Sequence, residues 1–435
     1  MEFRNLMFGL DAKVQLKGGE WVPEINFNNA ATTPAFSSVV KKINDFLPMY
    51  GTVNNGQGQK SKNTVYLFEE VRAAVLDFVK GDKNKDVVIF LGNATEAINK
   101  LSYRFTVPNK NDVILSTEME HYSNDLPWRE KYTIDYAMTD NNGRLSIEDL
   151  ENRLKKHNGK VKLVTVCGVS NVTGYVNPIY KIAEIAHKYK AMIHVDGSQH
   201  LPHLPMDMKP SDSPQHIDFL SFSAHKMYAP FGTGVLIGPK SIFDKGIPEY
   251  VGGRAAQHIA FDSVKWETPP KKEEVGTPNT IGVIALSEAI KILSEIGMEN
   301  VQKYETDILN YATQKLKDVP DLHIYADNTE SRVGIIPMNM RGIPHDILSR
   351  ILANEAAIGT RNGDVTAAIY INKLLSAAPD VTQSYIEDII PPPPGLSRVS
   401  FGIYNTKEEV DVLADLLYKI SSDKKRYVEM HKTPN

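Results

Sequence analysis

The chain has 435 residues, 42% hydrophobic and 23% charged, enough for a large core and for two domains. Its net charge of −4 leaves no basic footprint for nucleic acid or for an anionic membrane surface. One cysteine, Cys167, excludes an intramolecular disulfide and a zinc-ribbon spacing. The N-terminal stretch lacks the apolar core of a signal peptide, and no later run reaches transmembrane length. A cytoplasmic α/β protein without a metal site is the expectation.

In chain order, DVVIFLG (86–92) predicts a strand, followed by a helix that starts near Thr95 and Glu96. DVILST (112–117) and VKLVTVCGVSN (161–171) predict two more strands. IYKIAEIAHKYK (179–190) has helical apolar spacing and runs into the strand AMIHVDGSQ. Two apolar runs then nearly touch, one ending at Ser223-Ala224-His225-Lys226 and the other opening at Gly232-Thr233-Gly234. Strands alternating with helices predict an α/β fold with a mostly parallel sheet covered on both faces. Residues 276–297 predict a long connecting helix, after which a smaller α+β unit is expected. IIPPPPG (389–395) reads as a stiff polyproline-type segment ahead of the strand SRVSFGIY. Disorder is expected only at the extreme N-terminus and in the tail DKKRYVEMHKTPN (423–435).

Ligands of an open parallel sheet sit beyond the carboxyl ends of its strands. Those ends here carry Ala94, Thr95 and Glu96 at a helix start suited to an anion, and His121 after the second run. Asn171, Asp196 and Gln199 follow the next two, and Ser223, His225 and Lys226 follow the run 219–222. Taken singly, each has an ordinary explanation: a surface lysine, an aspartate capping a helix, a locally satisfied histidine. Their ordered co-occurrence matches what pyridoxal 5′-phosphate requires. That cofactor needs a lysine for its aldehyde, a carboxylate for its pyridine nitrogen, donors for its phosphate and a flat group against its ring. Desolvation would depress the pKa of Lys226 and make its amine reactive.

Over nearly its whole length the chain resembles the aminotransferase class V family of fold-type-I pyridoxal-phosphate enzymes. Within it, the chain is most similar to the group II cysteine desulfurase and selenocysteine lyase branch. FNNAATTP, EMEHYSNDLPW, SNVTG, VDGSQ, FSAHKMYAPFGTG, EVGTPNT and SRVSFGIYNT carry the likeness. The resemblance implies that Lys226 bonds the cofactor, Asp196 pairs its ring nitrogen and His121 stacks on the ring and shuttles protons. It implies ring contacts from Gln199 and Asn171, and a phosphate held by Thr95, Ser223, His225 and backbone N–H groups at Ala94 and Thr95. Thr277 would reach the phosphate of a second subunit, making a homodimer with shared active sites. Arg398 would clamp the α-carboxylate of a small amino-acid substrate, with Arg361 and Asn171 beside it. A segment 1–30 packing on the small domain, a large cofactor-binding domain 31–275 and a connecting helix with a small domain 276–435 complete the organisation.

The likeness breaks at IGTRNGDVTAAIY (358–370). The branch carries an arginine and then Gly-His-His-Cys, whose thiol takes sulfur from the substrate. Here Arg361 and Gly363 are followed by Asp364, Val365 and Thr366, and a threonine hydroxyl cannot form a persulfide. Cys167 is expected mid-strand among Val164, Val166 and Val169, as a small buried thiol. The implied activity is a lyase that cleaves a C–S or C–Se bond without an enzyme persulfide. The alternatives are a desulfurase or selenocysteine lyase with an external acceptor, an aminotransferase or epimerase, and, in another class, a catalytically silent scaffold. Residues 364–394 are expected to line the substrate pocket.

Overall fold

A computed structural model of the protein describes residues 3–54, 56–105, 112–326, 331–376 and 394–432. Residues 389–393 of the expected polyproline-type segment, and 377–393 of the expected pocket loop, lie outside the described residues.

Seven strands form the central sheet: β1 (Asp86–Leu91), β2 (Val113–Thr117), β3 (Thr133–Ala137), β4 (Val161–Cys167), β5 (Met192–Asp196), β6 (Phe219–Ser223) and β7 (Gly234–Pro239). Their spatial order is β1-β7-β6-β5-β4-β2-β3. All neighbours are parallel except β7, which is antiparallel to both β1 and β6. Every residue of β2 and β6 is buried, as expected of near-continuous apolar runs in a sheet covered on both faces. The register aligns the strand tips: Cys167 pairs with Asp196, and Asp196 with Ser221. Side chains at the ends of β4, β5 and β6 therefore stand side by side on one rim.

Two features set the shape of that rim. Gly234 lets β7 pass beneath the helix Ala94–Arg104, because a Cβ there would collide with the Asn93 backbone. Asn93 caps the same helix, its side chain accepting from Glu96 N–H at 2.9 Å. The predicted connecting helix runs over Thr280–Ile296 and continues, after Gly297, as Met298–Leu316. Beyond it lies a four-stranded antiparallel sheet in the order Leu322–Ile324, Ile335–Met340, Leu396–Ser400, Arg361–Gly363. Ile25–Asn26 pairs in parallel with Ile358–Gly359, and Phe27 packs edge-on against Phe401, tying the N-terminal segment to this smaller sheet. No helix among the described residues is long and apolar enough to cross a membrane.

The tail corrects an expectation. Lys424–His431 is a helix rather than a disordered end. His431 is buried, bonds Glu355 through Nε2 at 2.8 Å, and its carbonyl accepts from Arg350 at 2.8 Å. Tyr427 and Val428 pack on the apolar core beside the smaller sheet, which includes Leu352, Val399 and Phe401. A run of lysines and an arginine hides these few apolar positions. At the other terminus Phe3 is likewise buried, edge-on to Tyr304.

Candidate active site

The rim opens into a cavity of about 430 Å³ that reaches from the central sheet to the smaller one. Ala94, Thr95, His121, Asn171, Asp196, Gln199, Ser223, His225, Lys226, Arg361 and Arg398 all line it. Eleven of the twelve residues singled out from the sequence thus converge on one space. Thr277 is exposed and does not line the cavity of its own chain.

Lys226 ends a single 3₁₀ turn directly after β6. Burial lowers its pKa from the usual lysine value, and the Arg398 charge adds to this while Asp196 opposes it. Burial and then the Lys226 charge push His225 down to about 4. Asp196 accepts from Ser198 N–H at 3.0 Å, which orients the carboxylate at the tip of β5.

At the helix start, the Ala94 N–H does not face the cavity freely, as expected, but donates to Ser223 Oγ at 2.8 Å. The Ser223 hydroxyl stands between helix and cavity, and its own proton is left to donate elsewhere. Thr95 Oγ1 lies 2.6 Å from Ser123 Oγ. Gln199 donates to the Ala30 carbonyl at 2.6 Å, while its buried Oε1 has no partner.

The smaller sheet supplies the opposite wall. Arg361 and Arg398 are direct cross-strand partners on neighbouring antiparallel strands, so their guanidinium groups share one face. Like charges placed directly opposite are destabilising, a cost that an anion between them would offset. Arg398 is 3% exposed and donates to the Asn171 carbonyl at 2.7 Å, yet its Nε–H is buried without a partner. Burial, with the Arg361 charge, lowers its pKa to about 9. Two opposed cations lining one cavity, one of them with an unsatisfied buried donor, describe a site built for an anion.

His121, Tyr122 and the turn at 364–366 form a linked wall. His121 Nδ1 accepts from Ser123 N–H at 3.1 Å, and its Nε2 lies 2.5 Å from Thr366 Oγ1. Burial and the Lys226 charge push the His121 pKa down to about 4, so the ring is neutral near pH 7. Ser123 and Tyr122 were given no role from the sequence, and neither was the bond from the Tyr122 hydroxyl to Asp364. Ser123 two places after His121 was the one local signal available.

Cys167 also requires a correction. It is the last residue of β4 rather than mid-strand, and it lines the cavity at 6% exposure. Burial, with the neighbouring Glu120 and Asp196 carboxylates, holds its thiol pKa well above the usual value.

The sequence model of the family described as Aminotransferase class-V matches residues 25–413. The chain belongs to this family. Among curated relatives of this class V chain is a cysteine desulfurase of Haloferax volcanii, 32% identical over 91% of this chain and 89% of that protein. A probable cysteine desulfurase of Halalkalibacterium halodurans is 31% identical over 91% and 93%. Among solved structures, the apo cysteine desulfurase of Thermococcus onnurineus NA1 superposes with a TM-score of 0.81 at 27% identity, over 92% of this chain and 95% of that one. The class V fold is the fold-type-I architecture of pyridoxal-phosphate-dependent enzymes, as the sequence predicts.

Proposed function

We propose that the chain is a pyridoxal-phosphate-dependent lyase that cleaves a C–S or C–Se bond of an amino acid without an enzyme persulfide. One observation carries the reading: Lys226, its pKa lowered by burial, shares a cavity with the opposed Arg361–Arg398 pair. An amine able to act as a base then faces a carboxylate receptor across a space of small-molecule size. The residues present fit the cofactor, since the buried Gln199 Oε1 lacks a partner and Ser223 retains a proton to donate.

When bound, the cofactor supplies an aldehyde for amino groups and a ring that stabilises negative charge at the α-carbon. Thr95, Ser223 and His225 would hold its phosphate, Asp196 its ring nitrogen and Gln199 its ring oxygen. Arg398 binds the substrate α-carboxylate through Nε–H and a second guanidinium N–H, which fixes the α-carbon relative to Lys226. The Lys226 Nζ, whose pKa burial lowers, takes the α-proton. Thr366 in the acceptor's place, and a protonated Cys167, support direct departure of sulfur or selenium to solution. The names of the similar relatives support a sulfur-bearing substrate. Thr277 would serve the second subunit of a homodimer, a role its exposure favours.

The test is a panel of cysteine, cysteine sulfinate, selenocysteine and S-substituted cysteines, with products resolved as pyruvate or alanine. Turnover of sulfur or selenium amino acids with no persulfide forming on the protein supports the lyase. Turnover confined to amino-group exchange with a keto acid would make it an aminotransferase. Failure to take up the cofactor would make it a scaffold.

A further inference from the structure

Thr366 has no role in that reading beyond not being a thiol, yet its surroundings are constructed in detail. Val365 and Thr366 both hold left-handed backbone, at φ 41° and 60°. β-Branched residues are disfavoured there, and such conformations persist only where neighbours over-determine them. The neighbours do. Asp364 Oδ1 accepts from Thr366 N–H at 2.9 Å and Oδ2 from the Tyr122 hydroxyl at 2.5 Å. Tyr122 N–H donates to the Thr366 carbonyl at 2.9 Å, and Asn171 Nδ2 to the Val365 carbonyl at 2.9 Å. Asn171 also holds Arg398 through its own carbonyl, so the turn is fastened to the anion-binding wall.

The result of this fastening is the 2.5 Å contact between Thr366 Oγ1 and His121 Nε2, residues 245 positions apart. Its direction follows from the other bonds. Nδ1 accepts from Ser123 N–H at 3.1 Å and lies 3.0 Å from Ser123 Oγ, whose hydroxyl can also donate to it, which places the one proton of a neutral imidazole on Nε2. That proton points at Thr366 Oγ1, and the Thr366 O–H turns to the Val365 carbonyl at 2.6 Å. In this chain of three donors each meets an acceptor.

We propose that Thr366 is a positioning residue that locks His121 as its Nε2–H tautomer, with both ring nitrogens engaged. His121 then offers the cavity a fixed flat face and no free nitrogen, so it serves as a platform and not as a proton carrier. The inference rests on the lyase reading for its catalytic meaning, but the lock itself can be measured without turnover.

The experiment is ¹⁵N and ¹H NMR of the imidazoles in the full-length parent and in Thr366→Val and Thr366→Ser, with His121→Gln identifying the signal among the 12 histidines. In the parent, His121 should be the neutral Nε2–H form from about pH 5 to 8, with a proton slow to exchange with water. Thr366→Val should lose that slow exchange and Thr366→Ser should retain it. In the cofactor-loaded enzyme, Thr366→Val should lower kcat by about 10–100-fold with KM little changed, and Thr366→Ser should recover most of it. An Nδ1–H tautomer in the parent, a ring titrating near about 6.5, or a proton still protected in Thr366→Val would overturn the lock. A parent showing the lock but handling no amino acid would instead overturn the lyase reading alone.

Discussion

Cys167 is the chain's only thiol, and its environment opposes every requirement of a sulfur carrier. A carrier needs an accessible thiolate on a mobile segment, with its pKa lowered by a cation or a helix N-terminus. Cys167 sits instead at the end of a central strand. The Glu120 carboxylate accepts from its backbone N–H at 3.0 Å, and Asn177 Nδ2 lies 3.6 Å from its sulfur. Cys167→Ser, with the best substrate of the panel, should therefore turn over within about threefold of the parent, since a change that leaves an active site's charge and hydrogen bonding in place is a small perturbation. Abolished turnover with normal cofactor binding would restore an enzyme-persulfide mechanism. The rim residues Lys226, Asp196 and Ser223 were legible in the sequence because a parallel sheet gathers whatever follows its strands. The Thr366–His121 bond was not. It joins the ends of a strained turn and a distant loop, and no local pattern encodes that.

Among the elements, β7 has the most demanding placement. It runs antiparallel between two strands and directly beneath the start of the helix Ala94–Arg104, a passage that Gly234 permits. Gly234→Ala should push Asn93 and the first helical turn outward, at a cost of about 1–3 kcal/mol for an overpacked site. Because Ala94 N–H is bonded to Ser223, the same shift should weaken cofactor retention. Urea midpoints and cofactor content of the purified variant check both effects, and an unshifted midpoint would contradict the packing argument. Six strands of the central sheet could be read from the sequence as apolar runs, and the connecting helix from its length, but β3, an edge strand with a polar and only partly buried sequence, could not. The terminal helix Lys424–His431 could not. Its charge dominates the composition, and the few residues that dock it find their partners, Glu355 and Arg350, only in the folded chain.

For the whole molecule, buried titratable groups set how stability responds to pH. His194, bonded to Thr165 and Ser221 within the sheet, is pushed by burial to about 4, and His121 likewise. A histidine whose folded pKa is depressed binds fewer protons folded than unfolded, so stability falls as pH drops from about 6.5 towards 4. For His194 the loss amounts to about 3 kcal/mol across that window. Glu120 acts oppositely: burial raises it to about 7, so its contribution is lost as pH rises from about 4.5 to 7. Burial also raises Asp86, Glu249 and Glu305 and lowers His200 and His225, so each group's part is read from its own variant. Between about pH 6.5 and about pH 5, His194→Gln should lose less stability than the parent and Glu120→Gln should lose more, as read from denaturation midpoints at the two pH values. A slope unchanged by His194→Gln would show that the ring is not held neutral. Every role proposed for the cavity residues turns on Lys226 being the residue that holds the cofactor. Borohydride reduction of the cofactor-loaded protein, followed by peptide mapping, tests it most directly. A single adduct on Lys226, absent from Lys226→Ala, is the result expected; an adduct on another lysine, or trapping that survives the substitution, would contradict it.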